Sequence, residues 1–545
     1  MTVITDANPY GAKKWSSINW NNVRRTVQRL QARIVKALKT GARRKVKDLQ
    51  RLLNRSLAAR LMAVKRVTSN KGSKTPGVDH IIWSTSKQKL EAVKRLKEPT
   101  KPKPLRRIYI PKKNGKKRGL GIPTMMDRAC QALYFLGLDP ISEANADPSS
   151  YGFRICRSTR DAIQDIHRRM VHNHSPQWVL EADIKACFDE INHQWLEKNI
   201  PMDKTTLNRW LKSGFMEGKK MFPTTSGTPQ GGIISPVLAN MTLDGLQQRL
   251  RETFGFPKTK HSRENKVYLC RYADDFIITG ATKEILENEV KPLVEQFLEE
   301  RGLKLSQEKT MITHVTEGFD FLGQNIRKYR KILLIKPSKK SIQSLKEKLK
   351  EAIRQYRCQS LKMIQKINTI LRGWGNYHRF VSSKKTFSKL DNHIFWLLWN
   401  WAKKQHPNKG SKWIAKRYFH KIGSNKWVFS IKNKEKYETR FLLSSIPIRK
   451  YYSIKGLANP YDCNWKGYFE ARKNFDFQYK HFATFETLHK KQDGTCPLCQ
   501  QEIEVPKKGI IHFPKDNIAT DKTVCFNNAV LVHKDCHKEN IGYGF

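Results

Sequence analysis

VYLCRYADDFIIT, residues 267–279, is the stretch on which the reading of this chain turns. Two short apolar runs flank Ala273-Asp274-Asp275, the pattern of a strand, a tight turn and a second strand. Burying either carboxylate there without a partner costs on the order of several kcal/mol. Asp-Asp is also a common turn pair, so the dipeptide alone is better explained by a turn. A third acid changes the balance. WVLEADIKACFDEIN (178–192) begins as a buried strand and breaks just after Asp183. Two strand ends supplying three carboxylates match a two-metal phosphoryl-transfer site, in which the acids hold two Mg²⁺ about 4 Å apart.

The flanking sequence continues in the same mixed style. PLRRIYIPKKNGKKRGLGIP (104–123) has the form of a hairpin, with Ile108 and Ile110 on one strand, Leu120 and Ile122 on the other, and Asn114-Gly115 as the turn. Its tip and flanks are basic. GLKLSQEKTMITHV (302–315) and GFDFLGQNIRK (318–328) read as further short strands. Residues 18–65 have helical periodicity, with Val23, Val27, Leu30, Ile34, Ala37 and Leu38 on one face. Helical patterning returns from about 338 to 402, and residues 405–480 show no clear period. Strands and helices in this order predict an α+β fold.

Charge narrows the function. Lys and Arg number 104 against 48 Asp and Glu, a formal +56 over 545 residues. Such an excess repels itself in a compact state unless a polyanion neutralises it. It is spread along the whole chain, which implies a large nucleic acid partner. No stretch reaches the roughly 18 apolar residues of a membrane span, and MTVITDANPYGAKKW has no apolar signal core. The expected compartment is the bacterial cytoplasm rather than an organelle, with no membrane partner. Cys130, Cys156, Cys187, Cys270, Cys358 and Cys463 are scattered singly, as in a reduced protein. Cys496, Cys499, Cys525 and Cys536 crowd the last fifty residues and point to metal binding.

YADD and DIKACFDEI resemble two boxes of reverse transcriptases. Further matches stand in the right order: SKTPGVD (73–79), IYIPKKNGKKRGLGIPTMMDRACQ (108–131), SSYGFRICRSTRDAI (149–163), GTPQGGIISPVLANM (227–241), GLKLSQEKT (302–310) and GFDFLG (318–323). Together they resemble the protein encoded by mobile group II introns, a combined reverse transcriptase and maturase, over nearly the whole chain. The resemblance implies a right-hand polymerase: an N-terminal extension (1–80) that holds RNA, fingers and palm (81–335), a helical thumb and maturase domain (336–430), a DNA-binding region (431–485) and a small terminal module (486–545). It implies that Asp183 and Asp274 hold both Mg²⁺ ions, with Asp275 supporting. Phe188 then corresponds to the aromatic gate that excludes a ribose 2′-hydroxyl. Lys116, Lys117 and Arg118 correspond to the finger hairpin over the dNTP triphosphate. Pro229, Gln230 and Gly231 would approach the template and nucleotide pocket, and Lys309 the nucleotide or primer end. LRGWGNYHRF and HPNKGSKWIAKRYF match the thumb and maturase domain.

Bottom-up, basic helices with interleaved aromatics suit structured RNA. Lys403, Lys404, Lys409, Lys412, Lys416 and Arg417 are the expected contacts with intron RNA. Trp396, Trp399 and Trp401 are expected in the core, because aromatic side chains are usually stabilising through burial.

Cys496-Pro-Leu-Cys499 followed by His533-Lys-Asp-Cys536-His537 is zinc-ligand chemistry, with Cys525 or a histidine as the fourth ligand. NNAVLVHKDCH resembles the second half of an HNH endonuclease, with Asn528 and His537, or His533, in the matching places. The first half departs: His512 stands alone where the family carries a pair. The expectation is a zinc-stabilised remnant that binds target DNA and cuts the second strand weakly or not at all; the rival is an active nuclease with His512 as general base. Two readings compete for the whole chain: a maturase with a vestigial polymerase, and a reverse transcriptase of another element. The intact YADD, DIK and TPQGG argue against the first. The N-terminal extension and the maturase-like and HNH-like segments argue against the second. Oligomeric state is left open.

Overall fold

A computed structural model describes residues 14–97, 101–111, 115, 117–423, 425–433, 436–449, 451–472, 488–489, 492–504, 510–512, 530–533 and 535–536. The chain divides into two units, one ending at Ala458 and the other beginning at Asn459.

The N-terminal apolar stripe folds as expected. Helix Trp20–Lys39 starts where the Asn19 side chain accepts from the Asn22 N–H at 3.1 Å. Its face of Val23, Val27, Leu30, Ile34 and Ala37 is buried, while Leu38 is half-buried. With helices Arg43–Arg55 and Leu57–Thr68 it packs on the long helix Met125–Asn145. Two glutamines tie the layers: Gln31 donates to the Leu136 carbonyl (2.9 Å) and Gln50 to the Pro201 carbonyl (2.9 Å).

Eight strands follow: β1 (Leu105–Pro111), β2 (Lys117–Ile122), β3 (Trp178–Asp183), β4 (Phe215–Glu217), β5 (Lys220–Phe222), β6 (Tyr268–Tyr272), β7 (Asp275–Gly280) and β8 (Met311–His314). One sheet has the order β2-β1-β4-β5, the other β6-β7-β3-β8. The hairpin expected around Asn114-Gly115 is β1–β2, with Ile110 opposite Arg118. The second sheet is antiparallel throughout, and Val179, Leu180, Phe276, Ile277 and Ile278 are buried in it. Burial on both faces accounts for the unbroken apolar run FIIT, where a half-exposed strand would alternate.

Strands β9 (Phe319–Phe321), β10 (Gln324–Tyr329) and β11 (Ile332–Pro337) form a third sheet that leads into helices Lys339–Gln355, Ser360–His378, Lys384–Gln405 and Ser411–Tyr418. A buried histidine joins them. His378 Nδ1 meets Gln324 Oε1 on β10 at 3.0 Å, and its Nε2 meets Ser341 Oγ on the first helix at 3.0 Å. Burial pushes the ring down to about 3, so it stays neutral. Residues 419–439, which have no clear period in sequence, form a meander: β12 (Phe419–Ile422), β13 (Asn425–Asn433) and β14 (Lys436–Thr439). Phe419, Phe429, Leu443 and Ile446 share one core with the four helices.

The chain then returns to helix Thr159–Met170 and the loop before it. Arg157 donates to the carbonyls of Gly456 (2.7 Å) and Ala458 (3.3 Å), and Asp161 accepts from the Tyr451 hydroxyl (3.0 Å) and the Ile454 N–H (2.7 Å). In the second unit, β15 (Ile510–His512) pairs with β16 (Val530–Val532) beside a small core of Leu488, Cys496, Ile503, Leu531 and Val532.

Candidate functional site: a carboxylate cleft and a cysteine cluster

Asp183 ends β3 and Asp275 begins β7, and the antiparallel register sets them directly opposite each other. Between β6 and β7 the turn consists of Ala273, in the left-handed region at φ 60°, and Asp274. Burial and crowding raise the proton affinity of Asp274 and Asp275. Burial, then Asp274 and Asp183, push Asp275 up to about 6. Asp274 is raised by burial and by Asp183, and partly drawn back by Arg118 and Lys309. A site whose carboxylates are held together against their own repulsion, with hard oxygen donors and no thiol or imidazole among them, fits Mg²⁺.

Lys309 supplies one counter-charge. Past Asp183 the chain pairs with residues 304–306: Lys185 N–H donates to the Lys304 carbonyl (3.0 Å) and Ser306 N–H to the Asp183 carbonyl (2.8 Å). This delivers the Gln307–Lys309 turn to the site, where the Lys309 ammonium forms an ion pair with Asp183. That pair lifts the Lys309 pKa.

The turn rests on a buried frame. Gly152 packs so closely that a Cβ would lie 2.3 Å from the Ala273 nitrogen, so no other residue fits without displacing the Asp274 backbone. Ser149 and Tyr151 extend the edge of β6 through the Arg271 N–H and carbonyl (3.0 and 2.9 Å). Arg271 itself is wholly buried and paired with Asp244, and its Nη1 reaches Asn240 Oδ1 at 3.3 Å. Asn240 donates in turn to the Gly152 carbonyl at 2.9 Å.

The GTPQGG loop clamps the other side. Thr228 N–H donates to the Phe188 carbonyl (2.6 Å), Gly227 N–H to that of Ile191 (2.7 Å), and Gln230 Nε2 to Asp189 (3.0 Å). The Gly121 N–H of β2 donates to the Gln230 carbonyl at 2.9 Å, and a Cβ on Gly231 would meet the Gly121 oxygen at 2.8 Å. The β1–β2 hairpin and the Ala186–Glu190 turn are thus stitched together through Gln230 and Gly231. The result is a cleft of about 1190 Å³ lined by Asp183, Asp274, Lys117, Arg118, Phe188, Gln230, Gly231 and Lys309. Phe188 is half-buried, its ring edge against exposed Phe153 at 6.2 Å. Pro229 does not line the cleft; its carbonyl accepts from the Ser235 hydroxyl at 2.8 Å. Lys116 lies outside the described residues.

Lys403, Lys404, Lys409, Lys412, Lys416 and Arg417 are all exposed, at the end of helix Lys384–Gln405 and along Ser411–Tyr418. The tryptophans divide. Trp401 is buried and Trp399 half-buried, but Trp396 is 54% exposed, contrary to the core expected for all three. On a helix, positions 396 and 401 differ by about 140° in direction, so one face cannot bury both.

In the second unit the ligand atoms of Cys496, Cys499, His533 and Cys536 lie within 4.8 Å of one another. Three sulfurs and one imidazole could hold zinc. Both ring nitrogens of His533 are engaged: Nδ1 faces Cys499 Sγ at 3.2 Å and Nε2 the Glu502 carbonyl at 3.0 Å. That orientation fixes the tautomer as a metal-ligating histidine requires, and leaves no ring nitrogen free as a general base. His512 ends β15 opposite Val530. Cys525, Asn528 and His537 lie outside the described residues.

Three family signatures match in chain order: "N-terminal domain of reverse transcriptase" over residues 15–96, "Reverse transcriptase (RNA-dependent DNA polymerase)" over 110–326, and "Group II intron, maturase-specific domain" over 342–419. Protein YkfC of Escherichia coli (strain K12) is 32% identical over 323 residues, covering 52% of this chain and 84% of YkfC. The group II intron-encoded protein LtrA of Lactococcus lactis subsp. cremoris is 29% identical over 489 residues, covering 72% of this chain and 80% of LtrA.

The chain belongs to the group II intron-encoded reverse transcriptases.

A group II intron-encoded reverse transcriptase is an RNA-directed DNA polymerase that requires divalent metal and carries a maturase domain for intron RNA. In this one, no helix among the described residues is long and apolar enough to cross a membrane. The residues that sequence reasoning passed over are those of the frame: Gly152, Asn240, Asp244 and Arg271. One signal was available, since an arginine inside the apolar run VYLCRY demands a buried acid.

Proposed function

We propose that this reverse transcriptase acts as a right hand around a primer and template, with residues 81–335 as fingers and palm and 336–430 as thumb and maturase domain. It holds its intron RNA through residues 1–80 and the six cations of 403–417, assists splicing, and copies that RNA into DNA by target-primed reverse transcription. The observation that carries this reading is the convergence of Asp183 and Asp274 with Lys117, Arg118 and Lys309 in one cleft, with Asp275 facing Asp183 across the strands.

Asp183 and Asp274 would hold two Mg²⁺ ions and Asp275 would support them. When bound, the metals activate the primer 3′-hydroxyl and neutralise the leaving pyrophosphate. The protein's own side chains do the rest. Lys117 and Arg118, with Lys116, take up the charge of the dNTP triphosphate. Phe188 lies beneath the sugar and excludes a 2′-hydroxyl. Gln230 and Gly231 keep the hairpin at a fixed distance from that ring, and Lys309 holds the Asp183 carboxylate in orientation.

Residues 431–485 contact target DNA, and residues 486–545 form a zinc-stabilised, HNH-like module that binds DNA and cuts the second strand weakly or not at all. With His533 committed to the cysteine cluster, His512 is left without it as a catalytic partner, which favours the remnant over the active nuclease.

Primer extension on an RNA template with dNTPs and Mg²⁺ tests the polymerase. Template-dependent synthesis by the wild type, lost in Asp274→Ala/Asp275→Ala, is the expected result. No synthesis by folded, RNA-binding wild type would leave a maturase alone. Robust Mg²⁺-dependent nicking of the second strand by the protein with its intron RNA would sink the remnant reading.

A further inference from the structure

The maturase domain places aromatic rings where its core cannot use them. Trp396 on helix Lys384–Gln405 and Trp427 on β13 are each 54% exposed. They are the outer rungs of a continuous ladder. Trp396 meets Phe395 at 5.4 Å, Phe395 stacks on Trp399 at 6.1 Å, and Trp399 meets Trp427 at 6.4 Å. Beneath them buried Phe419 packs 5.3 Å from Trp399 and 6.4 Å from Trp427, which anchors the ladder to the core.

The backbone at Trp427 is unusual. His420 pairs with Val428 and Ile422 with Asn425, so Lys421 alone stands opposite both Lys426 and Trp427. This is a β-bulge, a device that re-aims a side chain. Trp427 occupies its left-handed position, at φ 61°, where glycine is the favoured residue and a bulky side chain is strained. Burial does not recover that strain, because half of the ring faces outward. Strain held at a surface residue points to a ligand. The surroundings say which kind: the Lys403 ammonium sits 6.0 Å from the Trp399 ring, and Lys421 and Lys426 are exposed on the bulge itself. Flat aromatic faces among cations are complementary to nucleobases and phosphates, not to an apolar protein surface.

We infer that Trp396 and Trp427 form a stacking platform for unpaired bases of RNA, with Lys403, Lys421 and Lys426 neutralising the adjacent phosphates. The inference rests on the maturase reading and deepens it: this face selects single-stranded segments over duplex.

The test uses the full chain, a fluorescein-labelled mixed-sequence RNA of about 20 nucleotides, and the same strand annealed to its complement. Trp396→Ala and Trp427→Gly are each expected to weaken single-strand binding roughly five- to hundredfold, with duplex binding changed less than about twofold. Trp396→Phe is expected to restore most of the affinity. Trp427→Gly removes the strained residue, so its melting midpoint should hold or rise. A fall in that midpoint would show the ring to be structural and overturn the platform. Equal weakening on both RNAs, weakening on neither, or a self-association seen by sedimentation that both variants abolish would overturn it as well. If wild type binds neither RNA, the maturase reading itself has failed; if it binds both and the variants match it, only the platform has.

Discussion

The carboxylate cleft and the cysteine cluster each gather side chains able to hold a metal, and they are built in opposite ways. In the cleft, three acids hang from the ends of two strands whose middles are fully buried, and Gly152, Asn240, Arg271 and Asp244 brace the turn from behind. That frame holds the acids together against their repulsion. Among the described residues of the second unit, the buried apolar side chains are Leu488, Ile503, Leu531 and Val532, and Cys496 is itself part of that core. There the candidate ligands are part of the core itself.

Metal removal should separate the two most sharply. Stripping zinc from the full chain, or substituting Cys499→Ser, should unfold the second unit, since structural zinc contributes on the order of 10 kcal/mol to such small folds. Limited proteolysis should then cut beyond residue 459 while primer extension persists. Cleavage that is unchanged would mean that the small core stands alone. The reciprocal case is Asp274→Ala/Asp275→Ala: primer extension should fall by at least about a thousandfold, a loss of about 4 kcal/mol in transition-state stabilisation, with the melting midpoint held or raised. A collapsed midpoint would mean that the acids are structural after all.

Smaller changes probe the bracing. Gly152→Ala forces a Cβ to within 2.3 Å of the Ala273 nitrogen, so the turn must shift. A cost of about 1–3 kcal/mol in stability and a larger fractional loss of activity are expected, by thermal melt and primer extension together. Phe188→Ala should raise ribonucleotide incorporation about ten- to hundredfold, a 1–3 kcal/mol change in discrimination, with little effect on dNTP use. The mildest effect is on pH. Asp275 sits at about 6, above the ordinary carboxylate range, so its charge opposes folding in the metal-free protein. Stability should therefore rise as pH falls through about 6 toward 4, and half-saturating Mg²⁺ should rise over the same window as protons compete. A flat Mg²⁺ requirement across that window would mean that Asp275 takes no part in holding the metal.

What was legible in the sequence follows the same divide. Asp183, Asp274 and Asp275 could be read because charge inside an apolar run has few explanations, and the β1–β2 hairpin because Asn-Gly between alternating apolar residues is a strong turn signal. The bracing residues were hidden. Asn240 and Asp244 act across the fold on a partner about thirty residues away, and no local period reports such contacts. The meander at 419–439 was hidden for a related reason: its strands are short, one is bulged, and lysines interrupt their alternation. Trp396 was misplaced because residue type alone does not say which side of a helix faces inward.

The return of residues 451–458 to Arg157 and Asp161 has a consequence for biosynthesis. Those two side chains emerge from the ribosome almost three hundred residues before the hydroxyl, N–H and carbonyls that satisfy them. Before that, Arg157 pairs with Glu143 and Asp161 caps its own helix through Ser158, so residues 451–458 add the last partners rather than the first. The last contacts of helix Thr159–Met170 are therefore made only after the maturase helices have been translated. A nascent chain stalled before residue 451 is exposed to chaperones and proteases for as long as it waits. Polymerase and maturase segments are in this sense tied together late in synthesis.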